Sequence, residues 1–142
     1  VHQLKKTLFV VACIALLLGL GLLVAACGQS GTSGGSNTPK QAVQSMLDAL
    51  KKGDWSASYN QLSSADKKQI TLKQWTDAYS KQGTPPKDLT WTIGSEKITG
   101  NDAVVTVKMS QGGQSQSVPF ACVKDGNTWK VSASKSSSLN QQ

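Results

Sequence analysis

The stretch Leu89-Thr90-Trp91-Thr92-Ile93-Gly94 decides the fold. Its large apolar residues fall at every second position, with threonine or glycine between them. That alternation belongs to a β-strand with one buried face. It recurs three times downstream. Ala103, Val105, Val107 and Met109 form one run, Val118, Phe120 and Cys122 a second, and Trp129, Val131 and Ala133 a third. Gly100-Asn101-Asp102, Gly112-Gly113 and Asp125-Gly126-Asn127 separate the runs and carry the residues that tight turns require. The pattern predicts a four-stranded antiparallel meander.

Upstream of Leu89 the period is different, about 3.6 residues. Val43, Met46, Leu47 and Leu50 form one helical stripe. Thr38-Pro39 opens that helix, since proline holds its predecessor out of the α region and suits the first helical position. Gly53 closes it where a left-handed residue is needed. Asp54 then caps a second helix, on which Trp55, Tyr59 and Leu62 share a face. Ser63 to Ile70 reads as a short helical turn or loop. Thr71 and Gln74 have capping-box spacing for a third helix, and Ile70 and Trp75 have that of a hydrophobic staple. Gly83 ends it, and Pro85-Pro86 makes a stiff connection to the first strand. An apolar sheet face needs a cover, and three amphipathic helices supply one. The expected class is therefore α+β, with three N-terminal helices packed on a four-stranded meander.

Pro119 lies in what should be an inner strand, where a missing N–H breaks a ladder. It must sit at a bulge or where the strand lacks a neighbour. Residues 135–142 are polar and predicted to be a disordered tail, so the domain is expected to span residues 38–134.

The amino-terminal third has another character. Lys5 and Lys6 precede an apolar run from Leu8 to Val24, the pattern of a secretory signal. The run ends in Val24-Ala25-Ala26-Cys27, which resembles the lipobox of bacterial lipoproteins. The resemblance implies that the Cys27 thiol receives a diacylglycerol and that residues 1–26 are removed. Two acyl chains suffice for stable anchoring where one does not. The competing reading is an uncleaved membrane helix, since about 20 residues span roughly 30 Å. Both readings place the domain outside. Residues 28–37, Gly-Gln-Ser-Gly-Thr-Ser-Gly-Gly-Ser-Asn, form a flexible leash after Cys27, averaging roughly 15–20 Å end to end. The expected location is the outer face of the cytoplasmic membrane.

Composition excludes several functions. Cleavage leaves 13 lysines and 8 acidic residues, a charge of about +5, with no arginine. Arginine is the preferred reader of phosphate and guanine, so nucleic acid is not the expected partner. The one histidine, His2, leaves with the signal. Serine and cysteine catalysis through histidine is then ruled out, as are zinc sites built on histidine. Neither cofactor nor metal is expected. Cys122 alternates with Val118 and Phe120 and points inward, the setting of an inert thiol. Asp54 has a capping task, and Asp48 lies on the polar side of its helix.

Thr38-Pro39 through Leu50, Lys52-Gly53-Asp54-Trp55-Ser56-Ala57-Ser58-Tyr59, and Lys124-Asp125-Gly126-Asn127-Thr128-Trp129-Lys130-Val131 together resemble the nuclear-transport-factor-2-like, or cystatin-like, superfold. More narrowly, they resemble small lipoprotein domains of unknown function in that group. The resemblance implies a strongly curved sheet that the helices close into a cone, often with a pocket. Enzymes of the superfold rely on acidic residues and histidine in the cone. Here histidine is absent and the only glutamate is Glu96.

Trp55, Tyr59, Trp75, Trp91, Phe120 and Trp129 converge on the interior, either as packing or as the walls of a cleft. Their bulk argues for a mostly filled cone. Buried indole and phenol groups need acceptors, so Tyr59 and Trp75 are expected at the open rim and Trp91, Phe120 and Trp129 at the filled base. The expected function is a non-catalytic interaction module of the cell envelope that binds a protein or envelope polymer. A small-ligand binder using the cone is the alternative, and an enzyme of the same superfold the third reading.

Overall fold

The structure is a computed structural model and describes residues 36–141. The signal segment, Cys27 and the leash as far as residue 35 lie outside the described residues. The helices come first: α1 (Pro39–Lys52), α2 (Trp55–Asn60), α3 (Ser64–Lys67) and α4 (Leu72–Gln82). The strands follow: β1 (Thr90–Thr99), β2 (Asp102–Gln111), β3 (Gln114–Asp125) and β4 (Thr128–Val131), with α5 (Ala133–Leu139) at the end. This is an α+β fold with helices packed on an open, four-stranded antiparallel sheet of order β1-β2-β3-β4.

The helix boundaries follow from local chemistry. Thr38 Oγ1 accepts a hydrogen bond from the Gln41 amide at 3.2 Å, with Pro39 in the first turn. Gly53 has φ of 73° and donates its amide back into the last turn of α1. A side chain there would also press within 3.0 Å of the Thr84 methyl. Asp54 Oδ1 accepts from the Ala57 amide at 2.9 Å and starts α2. Thr71 and Gln74 complete a reciprocal capping box at α4.

The inner sheet face carries Val105, Val107, Met109, Val118, Phe120, Cys122, Trp129 and Val131 against Val43, Met46, Leu47 and Trp75 of the helices. The β1–β2 register slips between Ile93 and Glu96. A bulge of this kind bends its strand and sharpens the twist. Gly94 sits in it, and a Cβ at that position would lie 2.7 Å from the Thr106 carbonyl oxygen. Glycine is therefore required by close backbone approach.

Pro119 lies where its missing donor does no harm. Its partner on β2 is Thr106, while β4 ends with Val131 opposite Cys122 and does not reach it. Helix α5 takes over the free edge instead. Ser136 Oγ accepts from the Ala121 amide at 2.9 Å, and Asn140 Nδ2 donates to the Pro119 carbonyl at 3.4 Å.

Two boundary expectations are corrected. Residues Ser36 and Asn37 belong to the fold and not to the leash: the Ser36 carbonyl accepts from the Trp129 amide at 2.8 Å on the outer edge of β4. The polar tail is helical through Leu139 and not disordered. Its serines offered no apolar period, but the helix is held from outside. The carboxylate of Asp66, 4 % exposed, accepts from the amides of Ala133 and Ser134, both at 3.1 Å, and from Ser63 Oγ at 2.5 Å. Residues 63–70, expected to be a short helical turn or loop, contribute α3, whose one turn presents Asp66 to the start of α5.

Candidate functional site

The six aromatic candidates do not all meet. The rings of Trp55 and Tyr79 stack with centroids 5.7 Å apart, and Trp75 tilts against Tyr79 at 4.6 Å. Trp75 also tilts against Tyr59 at 6.4 Å. Phe120 and Trp129 are buried at the base of the sheet face.

The expected division between rim and base is corrected in two places. Trp75 is 1 % exposed and not at the rim. The acceptor that its indole needs comes from Ser58, whose Oγ receives the Trp75 Nε1–H at 2.9 Å and donates to the Trp55 carbonyl at 2.8 Å. Tyr59 is half-buried, its hydroxyl donates to the Ile70 carbonyl at 2.9 Å, and burial pushes its pKa up. Trp91, expected at the filled base, is half-exposed. It stands on β1, whose outer side has no neighbouring strand among the described residues.

A cavity of about 80 Å³ lies between the C-terminal half of α1, α4, Pro85-Pro86, the start of β1 and α5. Trp55, Trp75, Trp91 and Phe120 line it, while Tyr59 and Trp129 do not. Its other walls include Met46, Leu47, Leu50, Tyr79, Leu89 and Met109, with Ala133, expected at the end of the fourth strand but found at the start of α5, and Ser136 and Asn140 of the expected tail. Pro85 and Pro86, expected only as a stiff connection to the first strand, form part of the wall. Nothing in the serine-rich tail announced its share.

Lys51 stands beside two residues of the wall. Its ammonium donates to the Leu89 carbonyl at 3.1 Å and lies 4.9 Å above the Trp91 ring. Both partners line the cavity, so a cation stands at its edge. The volume falls below the roughly 300 Å³ at which sites that enclose a metabolite begin.

The remaining candidates have structural tasks. Cys122 is buried with its thiol 3.8 Å from the Pro39 carbonyl. Burial, with the charge of Glu96 adding to it, pushes that thiol up to about 12. Asp48 accepts from Gln44 Nε2 at 2.8 Å. Lys130 and Lys67 both donate to the Asn60 carbonyl, at 2.8 and 3.3 Å, and so cap the end of α2. Burial lowers the pKa of each. Among the described residues, no three histidine, cysteine or acidic side chains gather where a metal ion could be held.

No family model and no curated protein matches the chain. Solved structures do. One is a protein of Campylobacter jejuni named as a proposed NTF2-like transpeptidase, 18 % identical, with 67 % of this chain aligned to 97 % of that one at a TM-score of 0.50. Another is an NTF2-like protein of unknown function from Silicibacter pomeroyi, 14 % identical, with 65 % of this chain aligned to 86 % of that one at a TM-score of 0.47. At this identity the likeness to the first concerns the fold, which is NTF2-like, as the sequence resemblance implied.

Proposed function

We propose that the chain is a membrane-anchored extracytoplasmic lipoprotein whose folded domain is a non-catalytic binding module, with the cone mouth receiving an apolar side chain of a partner. The observation that carries the reading is where half-buried apolar residues of the cavity wall gather. Helix α1 is 14 residues long, or about 21 Å. The leash enters beside its first turn, where Ser36 joins β4. We take the mouth to be at the other end, where the half-buried Leu50, Trp55, Leu89 and Trp91 of the wall meet beside the exposed Lys51. A lipid on Cys27 would tether the domain by the end remote from the mouth and leave the mouth free toward the envelope. The size of the cavity favours one inserted side chain over an enclosed metabolite.

Anchoring and binding have separate tests. Cys27→Ala should leave an unlipidated, uncleaved precursor. An Ala variant that is processed and released like the original, by intact mass and fractionation, overturns the anchor. For the mouth, a photo-crosslinking residue at Leu89 should give adducts in intact envelopes that the same residue at Ser117, exposed on the opposite sheet face, does not. Equal yields from both positions, or none from Leu89, refute the binding reading.

A further inference from the structure

The mouth also has a charge and a size that define what fits it. Lys51 Nζ has no carboxylate partner: the ion pairs among the described residues are Lys73 with Asp77 and Lys135 with Asp102. Asp88, next in sequence to Leu89, is exposed and pairs with neither Lys51 nor any other lysine. The half-buried indoles of Trp55 and Trp91 face the cavity, and among the described residues no protein acceptor meets either indole N–H. On the inner wall two polar side chains are engaged, and the Asn140 amide, at the α5 side, donates through Nδ2 to the Pro119 and Ser136 carbonyls. Trp75 Nε1 is held by Ser58, and Ser136 Oγ accepts from Ala121 while donating to the Ser132 carbonyl. At the Trp91 end the unspent polar groups are therefore donors, one of them cationic.

An apolar group entering the cavity would cover Trp91 and remove water from the Lys51 ammonium. A cation deprived of water needs a paired anion. The volume of about 80 Å³ is roughly half of the 150 Å³ apolar cavity that admits benzene. It suits the branched end of a leucine, isoleucine or valine side chain and not an aromatic ring.

We infer that the cone mouth is a site for an aliphatic carboxylate, with a short branched alkyl group in the cavity and the carboxylate on Lys51 Nζ. This rests on the reading of the mouth as a binding site and names the chemistry that it selects. Two sources share that chemistry: the C-terminal residue of a partner chain, and a free branched-chain acid.

The test uses the full chain in detergent micelles, with binding followed by tryptophan fluorescence and by the indole N–H resonances of Trp55 and Trp91. The probes are N-acetyl-leucine, the neutral N-acetyl-leucinamide, isovalerate and N-acetylphenylalanine. N-acetyl-leucine should bind at least five-fold tighter than its amide and than the phenylalanine acid. Lys51→Met should abolish the preference for acid over amide, while Lys52→Met, one residue further along α1, should keep it. Isovalerate equal to N-acetyl-leucine identifies a free acid as the source, and weaker isovalerate identifies a chain terminus. Equal saturation by acid and amide overturns the carboxylate assignment but leaves the mouth a binding site. A preference that survives Lys51→Met overturns the role of Lys51 and the proposal with it. No shift at Trp55 or Trp91 with any probe refutes both the proposal and the reading beneath it.

Discussion

Removing the Asp66 carboxylate should release the C-terminal helix. The carboxylate is 4 % exposed and receives three hydrogen bonds, from the Ala133 and Ser134 amides and from Ser63 Oγ. Asp66→Ala strands two backbone N–H groups at the start of α5. Each stranded buried donor costs about 1–3 kcal/mol. Helix α5 has 7 residues, and helices under about 12 residues are marginal on their own. The chain therefore has a cheaper escape than bearing the whole penalty: α5 can detach. The measured loss should saturate near the docking free energy of α5, about 2–4 kcal/mol if it tracks two lost bonds. Asp66→Asn keeps one acceptor oxygen but turns a donor toward one of the amides, and should cost about 1.5–3 kcal/mol, the worth of one bond to a charged group. Urea unfolding gives the totals. Amide exchange gives the mechanism, since protection at residues 134–139 should fall in Asp66→Ala while Val105, Val107 and Val118 keep theirs. A variant within about 0.5 kcal/mol of the original, the usual range for an uninvolved surface site, with α5 still protected, would show that Asp66 does not hold the helix.

Three further outcomes are expected. Trp129→Ala should cost about 3–5 kcal/mol in urea unfolding, as for a large ring lost from a core, because Trp129 is 7 % exposed; a near-neutral result would put the ring at the surface. Cys122, with its thiol pushed up to about 12 by burial, should not react with iodoacetamide at pH 8 until the protein unfolds; labelling of the native chain at the rate of a free cysteine would contradict its placement. The Ser64 hydroxyl and amide hold the Asp125 carboxyl below its ordinary pKa. A depressed carboxylate contributes stability that is complete above the unfolded pKa and lost as pH falls through the folded one, so Asp125→Asn should flatten the acid limb of the stability profile below about pH 4, the ordinary carboxylate value; an unchanged limb would refute the linkage.

Most of the fold was legible because it is specified by short-range chemistry. Thr38, Asp54 and Thr71 each cap the helix that follows them, and Gly53 turns left-handed where α1 stops. The β-strands were legible from the alternation of their apolar residues: β2 buries Ala103, Val105, Val107 and Met109, and β1 sets half-buried Trp91 and Ile93 between exposed neighbours. Even the anomaly of Pro119 carried information: a missing donor demanded a gap in the pairing, and the gap is where β4 has ended. Helix α5 was not legible because its cause lies 67 residues away. A serine-rich segment has no apolar stripe to read, and the group that organises it is a carboxylate on a single helical turn. A single buried hydrogen-bonding group of this sort leaves no periodic trace in the sequence.

The site was legible in part, and its error follows from topology. The aromatic stripes named the residues of the interior but not their depth. Trp75 was expected at the rim for want of acceptors, yet a serine one turn below Trp55 supplies one, and a small hydroxyl leaves no mark on a hydrophobic stripe. Trp91 was expected at the base with Phe120 and Trp129, the bulky rings of the strands. A residue of β1, however, has a neighbouring strand on one side only, so half of its ring lacks the cover that inner strands give one another. The chain covers the far edge of β4 with Ser36 and Gln61 and the free edge of β3 with α5. Over the Trp91 ring lies the Lys51 side chain. A flexible lysine stem shields apolar surface while keeping its charge in water, and it can be moved aside at low cost. That difference in covering, and not the aromatic content, is what separates the mouth from the base and places the binding reading at Trp91 and Lys51.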